Sequence, residues 1–237
     1  MIEEDTKWEK YGESRLLSRN KLLYIHHRIA TESFLDHFKK VDTASKVLDV
    51  GCGDGLYLEL LRDLGFSNAE GIDPGASMVS TSKGKNLNVR QGYLSDISGA
   101  EEYDVVYMMD VLEHIPDVPG ALAAVNRILR PGGEFVLNIP ICDSLRSRWR
   151  RFFGKETRSG QVLSYDETHL HAFTKVKLEE LLKQAGFEVI TSKRINDPMP
   201  FSGWLFSFSP KLAEMVQKIS FGGRMGDFLF TVARRTG

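Results

Sequence analysis

The run Val47-Leu48-Asp49-Val50-Gly51-Cys52-Gly53-Asp54-Gly55 constrains this chain more than any other stretch. A short apolar strand runs into three glycines at alternating positions, and residues 56–64 then take the apolar spacing of a helix. Glycine allows the sharp turn and lets a ligand come close to the backbone where a Cβ would otherwise stand. The helix behind the turn offers N–H groups and the positive end of its dipole, which favour a carboxylate or a phosphate. A strand, glycine turn and helix in this order can open a βαβ fold that holds a nucleotide-like ligand. The glycines alone describe an ordinary tight strand-to-helix turn equally well.

Three further blocks narrow the reading. Asp73 ends the apolar segment Ala69-Glu70-Gly71-Ile72-Asp73 and lies 22 residues after Gly51. An acid at about 20 residues from such a turn suits a ribose diol. The second block is Tyr103-Asp104-Val105-Val106-Tyr107-Met108-Met109-Asp110-Val111-Leu112-Glu113-His114-Ile115-Pro116. The third, Leu129-Arg130-Pro131-Gly132-Gly133-Glu134-Phe135-Val136-Leu137-Asn138-Ile139-Pro140, stops a helix at Pro-Gly-Gly and starts a buried strand.

These four blocks, in this order and at these distances, resemble the class I S-adenosylmethionine-dependent methyltransferases. The branch most resembled holds quinone-biosynthesis O-methyltransferases and small-molecule methyltransferases of sugar and natural-product clusters. The similarity spans residues 44–193, with a final strand at 228–234. It implies a Rossmann-like α/β fold with a mostly parallel seven-stranded sheet, and S-adenosyl-L-methionine as cofactor.

The residue pattern agrees with that architecture. Strands are expected at 46–51, 69–73, 87–92, 103–109 and 133–139, short and rich in Val, Ile and Leu, as parallel strands covered by helices should be. Helices are expected between them, at 55–65, 76–83 and 118–130, which gives a doubly wound sheet. Thr174 caps a helix that Gly186 stops, and a strand at 187–192 follows. Residues 1–43 form an N-terminal helical segment, expected to be part of a lid, and 44–237 the methyltransferase domain. Insertions at 141–173 and 194–227 are expected to complete the cap and build the substrate site.

Composition excludes several classes. A chain of 237 residues, 42% hydrophobic and 27% charged, is one large globular domain. With a net charge of −1 it is not a bulk electrostatic binder of nucleic acid. Its two cysteines, Cys52 and Cys142, make no disulfide framework and no metal spacing, so a reducing cytoplasmic setting is expected. The first fifteen residues lack the apolar core of a secretory leader, and no apolar run is long enough to span a membrane.

The resemblance assigns roles residue by residue. Gly51, Gly53 and Gly55 form the floor under the methionine end of the cofactor, with Cys52 inside the turn where a small residue is wanted. Asp49 orients the turn or the ligand's ammonium, or caps the loop backbone, and these roles are compatible. Asp73 takes the ribose hydroxyls, or caps the turn at Pro74 and Gly75. Pro74 and Met78 are further cofactor-binding candidates, and at the adenine end either Asp96 reaches the base or backbone atoms of Tyr93 and Leu94 do. The family often carries an acid directly after the glycine of this block, whereas Tyr93 follows Gly92 here. Asp110 resembles the residue that faces the methionine amino group.

His114, His169 and His171 are the candidate bases, needed if the acceptor is a hydroxyl. No metal site is expected, because the two nearby histidines lack a partnering carboxylate or thiolate at a recognised spacing. The acceptor is expected to be a small molecule, with oxygen as the accepting atom. The basic aromatic stretch 145–155 and the aromatic run 201–208 leave a lipid-like or anionic acceptor, or contact with a membrane surface, open. Two other readings stand beside this one: an NAD(P)-dependent oxidoreductase, against which the Gly-x-Gly-x-Gly spacing speaks, and a non-catalytic cofactor-binding partner subunit.

Overall fold

Alternation of short apolar strands with amphipathic helices produces a single sheet. The computed structural model describes residues 21–100, 102–144, 169–195 and 226–237, with the single positions 152 and 209, and for 21–28 the backbone alone. In chain order the elements are α1 (Lys21–Phe38), β1 (Val47–Val50), α2 (Leu56–Asp63), β2 (Ala69–Asp73), α3 (Ala76–Gly84), β3 (Val89–Gln91), β4 (Tyr103–Met109), α4 (Val118–Ile128), β5 (Leu129–Pro140), α5 (Lys175–Gln184), β6 (Phe187–Ile195) and β7 (Phe228–Arg235). The strands form one seven-stranded sheet in the order β3-β2-β1-β4-β5-β7-β6. The first five are parallel. β7 lies antiparallel between β5 and β6.

Both faces of the sheet are covered, which is why its central strands are apolar without alternation. Leu48, Val50, Val106, Met108, Phe135 and Leu137 bury against Leu122 and Val125 of α4 and Leu178 and Leu182 of α5. Val47, Val105, Tyr107 and Val136 point the other way, onto Phe34 and Phe38 of α1 and Leu61 of α2. Burying one such side chain contributes roughly 1.5–3 kcal/mol. The described end of α1 is therefore a core layer of the sheet and not a cap: Phe34 is 0% and Phe38 1% exposed. The remainder of the expected N-terminal lid, residues 1–20, lies outside the described residues, as do the basic stretch 145–155 apart from Phe152 and the run 201–208.

Two boundaries differ most from the expectation. β5 starts at Leu129 instead of 133, because Leu129 already pairs with Tyr103 ahead of a register shift, with Gly132 at φ +78° absorbing the bend. β6 runs on to Ile195, pairing with Phe228 at the foot of β7.

The sheet grows in opposite directions from β1: β2 and β3 on one side, β4 and β5 on the other. At such a reversal the loops leaving the strands' carboxyl ends diverge, and a crevice opens between them. The glycine turn leaves β1 there, and the loop carrying Asp110 to His114 leaves β4.

Candidate active site

The glycine turn is shaped by protein on two sides and open on the third. All three of its glycines have positive φ: Gly51 +74°, Gly53 +53° and Gly55 +84°. A Cβ on Gly51 would stand 2.5 Å from Val111 Cγ2, and one on Gly55 2.3 Å from Leu87 Cδ1. A Cβ on Gly53 would meet nothing within 4 Å among the described residues. Two of the glycines are thus required by packing, and Gly53 borders the open crevice. Gly51 N–H and Cys52 N–H both donate to Ile72 O, tying the turn to β2. Lys85 fastens its far side through Asp54 O at 2.8 Å and Glu59 Oε2 at 2.8 Å.

Asp73 stitches this turn to the next. Its Oδ2 accepts from Gly53 N–H at 2.9 Å and its Oδ1 from Gly75 N–H at 2.7 Å. The capping role and the diol role meet in one side chain, since each carboxylate oxygen keeps a second lone pair. Pro74 O accepts from Gln91 Nε2, fixing the strand ends beside it. Around this point Met78 and Tyr93 are exposed, at 48% and 64%, while Leu94 is buried. Asp96 is exposed, and its Oδ2 accepts from Tyr93 N–H at 2.8 Å and closes the 94–96 turn. That bond uses one oxygen, so Asp96 keeps acceptor capacity for a ligand beside the exposed Met78 and Tyr93.

Asp49 is almost sealed, at 2% exposure. Among the described residues no turn N–H reaches it, so the loop-capping role falls to Asp73. Burial pushes its carboxyl up to about 8, against a partial offset from the facing Tyr107 hydroxyl and with a further rise from Asp73. The Cys52 thiol is pushed well above its ordinary value, first by burial and then by Asp49 and Asp73. It stays protonated and fills space; a Cβ on Gly71 would stand 2.8 Å from its Sγ.

Across the crevice, Asp110 sits at φ +59°, an uncommon conformation for an acid. Its N–H donates to Asn138 O, and its Oδ1 accepts from Asn138 Nδ2 at 2.6 Å. Asn138 lies fully buried on β5. The chain then makes a short helical turn, Leu112–His114. Glu113 is 1% exposed, and its carboxylate, a His114 ring nitrogen and a His169 ring nitrogen all lie within 4.8 Å of one another. The His114 and His169 rings meet edge-on at 4.9 Å.

His171 does different work. Its Nε2 faces two carbonyls, Ile115 O at 3.0 Å and Pro116 O at 3.2 Å. Two acceptors around one nitrogen fix it as the N–H donor. Leu170 N–H and His171 N–H both donate to Glu113 O. His171 therefore clamps segment 169–173 to the loop after β4, and of the three histidines only His114 and His169 are brought together.

Sequence reasoning missed Glu113 and Asn138. The signals were present: a carboxylate directly before His114, and a lone amide within the apolar run of β5. The expectation of no metal rested on the lack of a partnering carboxylate, which Glu113 supplies. Two imidazoles and a carboxylate are a donor set that suits a divalent transition metal.

A methyltransferase-domain family model matches residues 23–192. The ubiquinone biosynthesis O-methyltransferase of Dinoroseobacter shibae is 30% identical over 204 residues, covering 78% of this chain and 79% of that protein. That of a Bradyrhizobium species is 29% identical over 194 residues, covering 76% and 73%. Among solved structures, an S-adenosylmethionine-dependent methyltransferase from Mesorhizobium loti superposes with a TM-score of 0.62 at 20% identity, covering 87% of this chain and 98% of that one. One from Archaeoglobus fulgidus gives 0.61 at 20% identity, covering 86% and 90%.

Proposed function

We infer how this site works from the family to which the chain belongs, the S-adenosylmethionine-dependent methyltransferases. The cofactor is S-adenosyl-L-methionine, and the acceptor is a small molecule. The proposal concerns which residues do what. The turn Gly51-Cys52-Gly53 lies under the methionine end, with Asp49 beneath it and Asp110 facing the ammonium. Asp73 takes the ribose hydroxyls on its remaining lone pairs. Pro74, Met78, Tyr93 and Leu94 wall the adenine.

Bound there, the cofactor supplies an already activated methyl group, and the protein's task is to line an acceptor up behind it. The relatives are named as O-methyltransferases of ubiquinone biosynthesis, which supports a hydroxyl acceptor, and a lipid-like one first. A hydroxyl must lose its proton. The observation that carries the reading is the cluster of Glu113, His114 and His169 at the carboxyl end of β4, on a loop that packs against the glycine turn through Val111. His114 or His169 takes the proton, and the buried Glu113 carboxylate stabilises the imidazolium that forms. His171 holds the loop.

Incubation with methyl-labelled cofactor and a polyprenylated phenol, beside the matching aniline, tests this by mass spectrometry. The O-methyl product is expected. Methylation of the aniline alone overturns the hydroxyl reading.

The 4.8 Å grouping also favours a second reading, in which Glu113, His114 and His169 hold a divalent cation that acidifies the acceptor hydroxyl. Dialysis against a chelator separates the two. Activity lost and then restored by added metal assigns the cation, and activity unchanged assigns the histidine base.

The reading places the protein in the cytoplasm. Among the described residues no helix is long and apolar enough to cross a membrane.

A further inference from the structure

A buried carboxyl needs a cation, a set of hydrogen-bond donors or a proton. Asp49 stands mid-sheet in β1, in register with Gly71 of β2 and Tyr107 of β4, two residues before the first glycine of the turn. Among the described residues its Oδ2 makes no hydrogen bond of ordinary length, and neither does the Tyr107 hydroxyl, which faces it closely enough to ease its ionisation. Rings from three elements close this face of the sheet: Phe34 of α1, Tyr57 of α2 and Tyr107 of β4, with centroids 4.8 Å apart for Phe34–Tyr57 and 5.1 Å for Phe34–Tyr107. Among the described residues the ionisable groups around Asp49 are Tyr107 on β4, Tyr57 on α2, Cys52 in the turn and Asp73 at the end of β2. All are neutral or acidic. The lysine of this region, Lys85, is taken by Asp54 and Glu59 on the other side of the turn.

We propose that Asp49 reads the charge of the cofactor: it keeps its proton in the free protein and releases it to solvent when the cationic sulfonium ligand docks on the adjoining turn. The inference rests on the cofactor reading above. S-adenosylmethionine carries one net positive charge more than S-adenosylhomocysteine, the thioether left after methyl transfer. A deprotonated Asp49 favours the first over the second, so this residue sets the preference for substrate over product. Once the methyl has gone, the carboxylate regains a proton and the neutral product loses that attraction. The direction agrees with the raised ionisation point of about 8 that burial gives Asp49. Below that pH the proton must be expelled for the sulfonium ligand to gain, and above it the carboxylate is already charged.

The test is calorimetric titration of the full chain with S-adenosylmethionine and, separately, S-adenosylhomocysteine between pH 6 and 9, in two buffers of different ionisation enthalpy. The expected result is release of close to one proton with the sulfonium ligand near pH 7, and markedly less with the thioether. The preference for the sulfonium ligand should rise up to about tenfold per pH unit and level off near pH 8. In Asp49→Asn both the proton release and the rise should vanish. Comparing the two proteins cancels the titration of the ligands' own amino groups. Tyr107→Phe keeps the carboxyl but removes the hydroxyl that eases its ionisation, so the levelling point should move to higher pH. Binding of both ligands with a pH-independent preference overturns the inference and leaves the cofactor reading standing. So does an unmoved levelling point in Tyr107→Phe. Failure of the wild-type protein to bind either ligand overturns the cofactor reading itself.

Discussion

The two walls of the crevice are held by different means. On the cofactor wall, Gly51, Gly53 and Asp73 are joined by bonds that span about one βαβ unit, such as Gly53 N–H to Asp73 across 20 residues. On the acceptor wall, His171 reaches Pro116 across 55 residues, and the same docked segment, held also by Leu170 N–H and His171 N–H on Glu113 O, brings His169 to His114. The first wall is dictated by backbone conformation, where a single Cβ is too much. The second is assembled by docking one loop onto another, so its chemistry can change without disturbing the sheet. Stability and cofactor affinity should therefore reside in the first wall, and methyl-transfer rate in the second.

The largest effect expected is on the cofactor wall and is electrostatic. Asp49 has an ordinary value of 3.8 and is raised to about 8 in the folded chain. Between these the unfolded chain is charged there and the folded one is not, so folding takes up a proton and stability falls as pH rises. The slope is at most about 1.4 kcal/mol per pH unit, and it ends near pH 8. Urea unfolding of Asp49→Asn from pH 5 to 9 should lack this decline. An equal decline in both proteins would assign the pH dependence to other groups.

Glu113→Gln should slow methyl transfer by about 100-fold or more, the scale of a lost acid–base arrangement. It should leave S-adenosylhomocysteine affinity within about threefold. A parallel loss of affinity would show that the two walls are not separable.

The glycines divide the cofactor wall itself. Gly51→Ala combines a left-handed backbone with a collision at Val111, costing about 3 kcal/mol in chemical unfolding. Gly53→Ala meets no protein atom, so it should cost only about 1–2 kcal/mol of backbone strain while weakening the cofactor more than Gly51→Ala does per unit of stability lost. Equal behaviour of the two would remove the distinction between packing and ligand glycines.

Asp73→Asn should weaken S-adenosylhomocysteine by about 1–3 kcal/mol in calorimetry, as a charge-assisted acceptor is lost. Unchanged affinity would leave Asp73 with the turn alone. The smallest effect belongs to His171→Ala, about 1 kcal/mol of stability with a raised KM for the acceptor. A rate loss as deep as that of Glu113→Gln would return His171 to the chemistry.

The same division decides what could be read from the sequence. β1, the glycine turn, Asp73 and the capped helix at Thr174 are local: each residue's role is fixed by neighbours a few positions away, and side-chain type states it. The grouping of His114 with His169 and the clamping role of His171 depend on how segment 169–173 docks, which no spacing encodes. Asp96 was a reasonable adenine candidate by position. Its carboxylate also accepts from Tyr93 N–H and holds the 94–96 turn, a second role that only the geometry shows. The early start of β5 was hidden because Pro131-Gly132-Gly133 reads as a break, whereas the strand absorbs it in a register shift. Asp49 was legible as a position but not as a chemical state, since that depends first on its burial in the folded sheet and then on Tyr107 from a strand 58 residues later.

The placement of β7 between β5 and β6 bears on how the protein is made. A ribosome delivers β6 before the strand it must pair with, and β5 before its second neighbour. Until 228–235 has emerged, the growing chain carries two unpaired strand borders, each able to recruit the wrong partner. The parallel half of the sheet, with the glycine turn, can close while synthesis continues. Cofactor present during translation would therefore hold the parallel half in place while the last strand slides in.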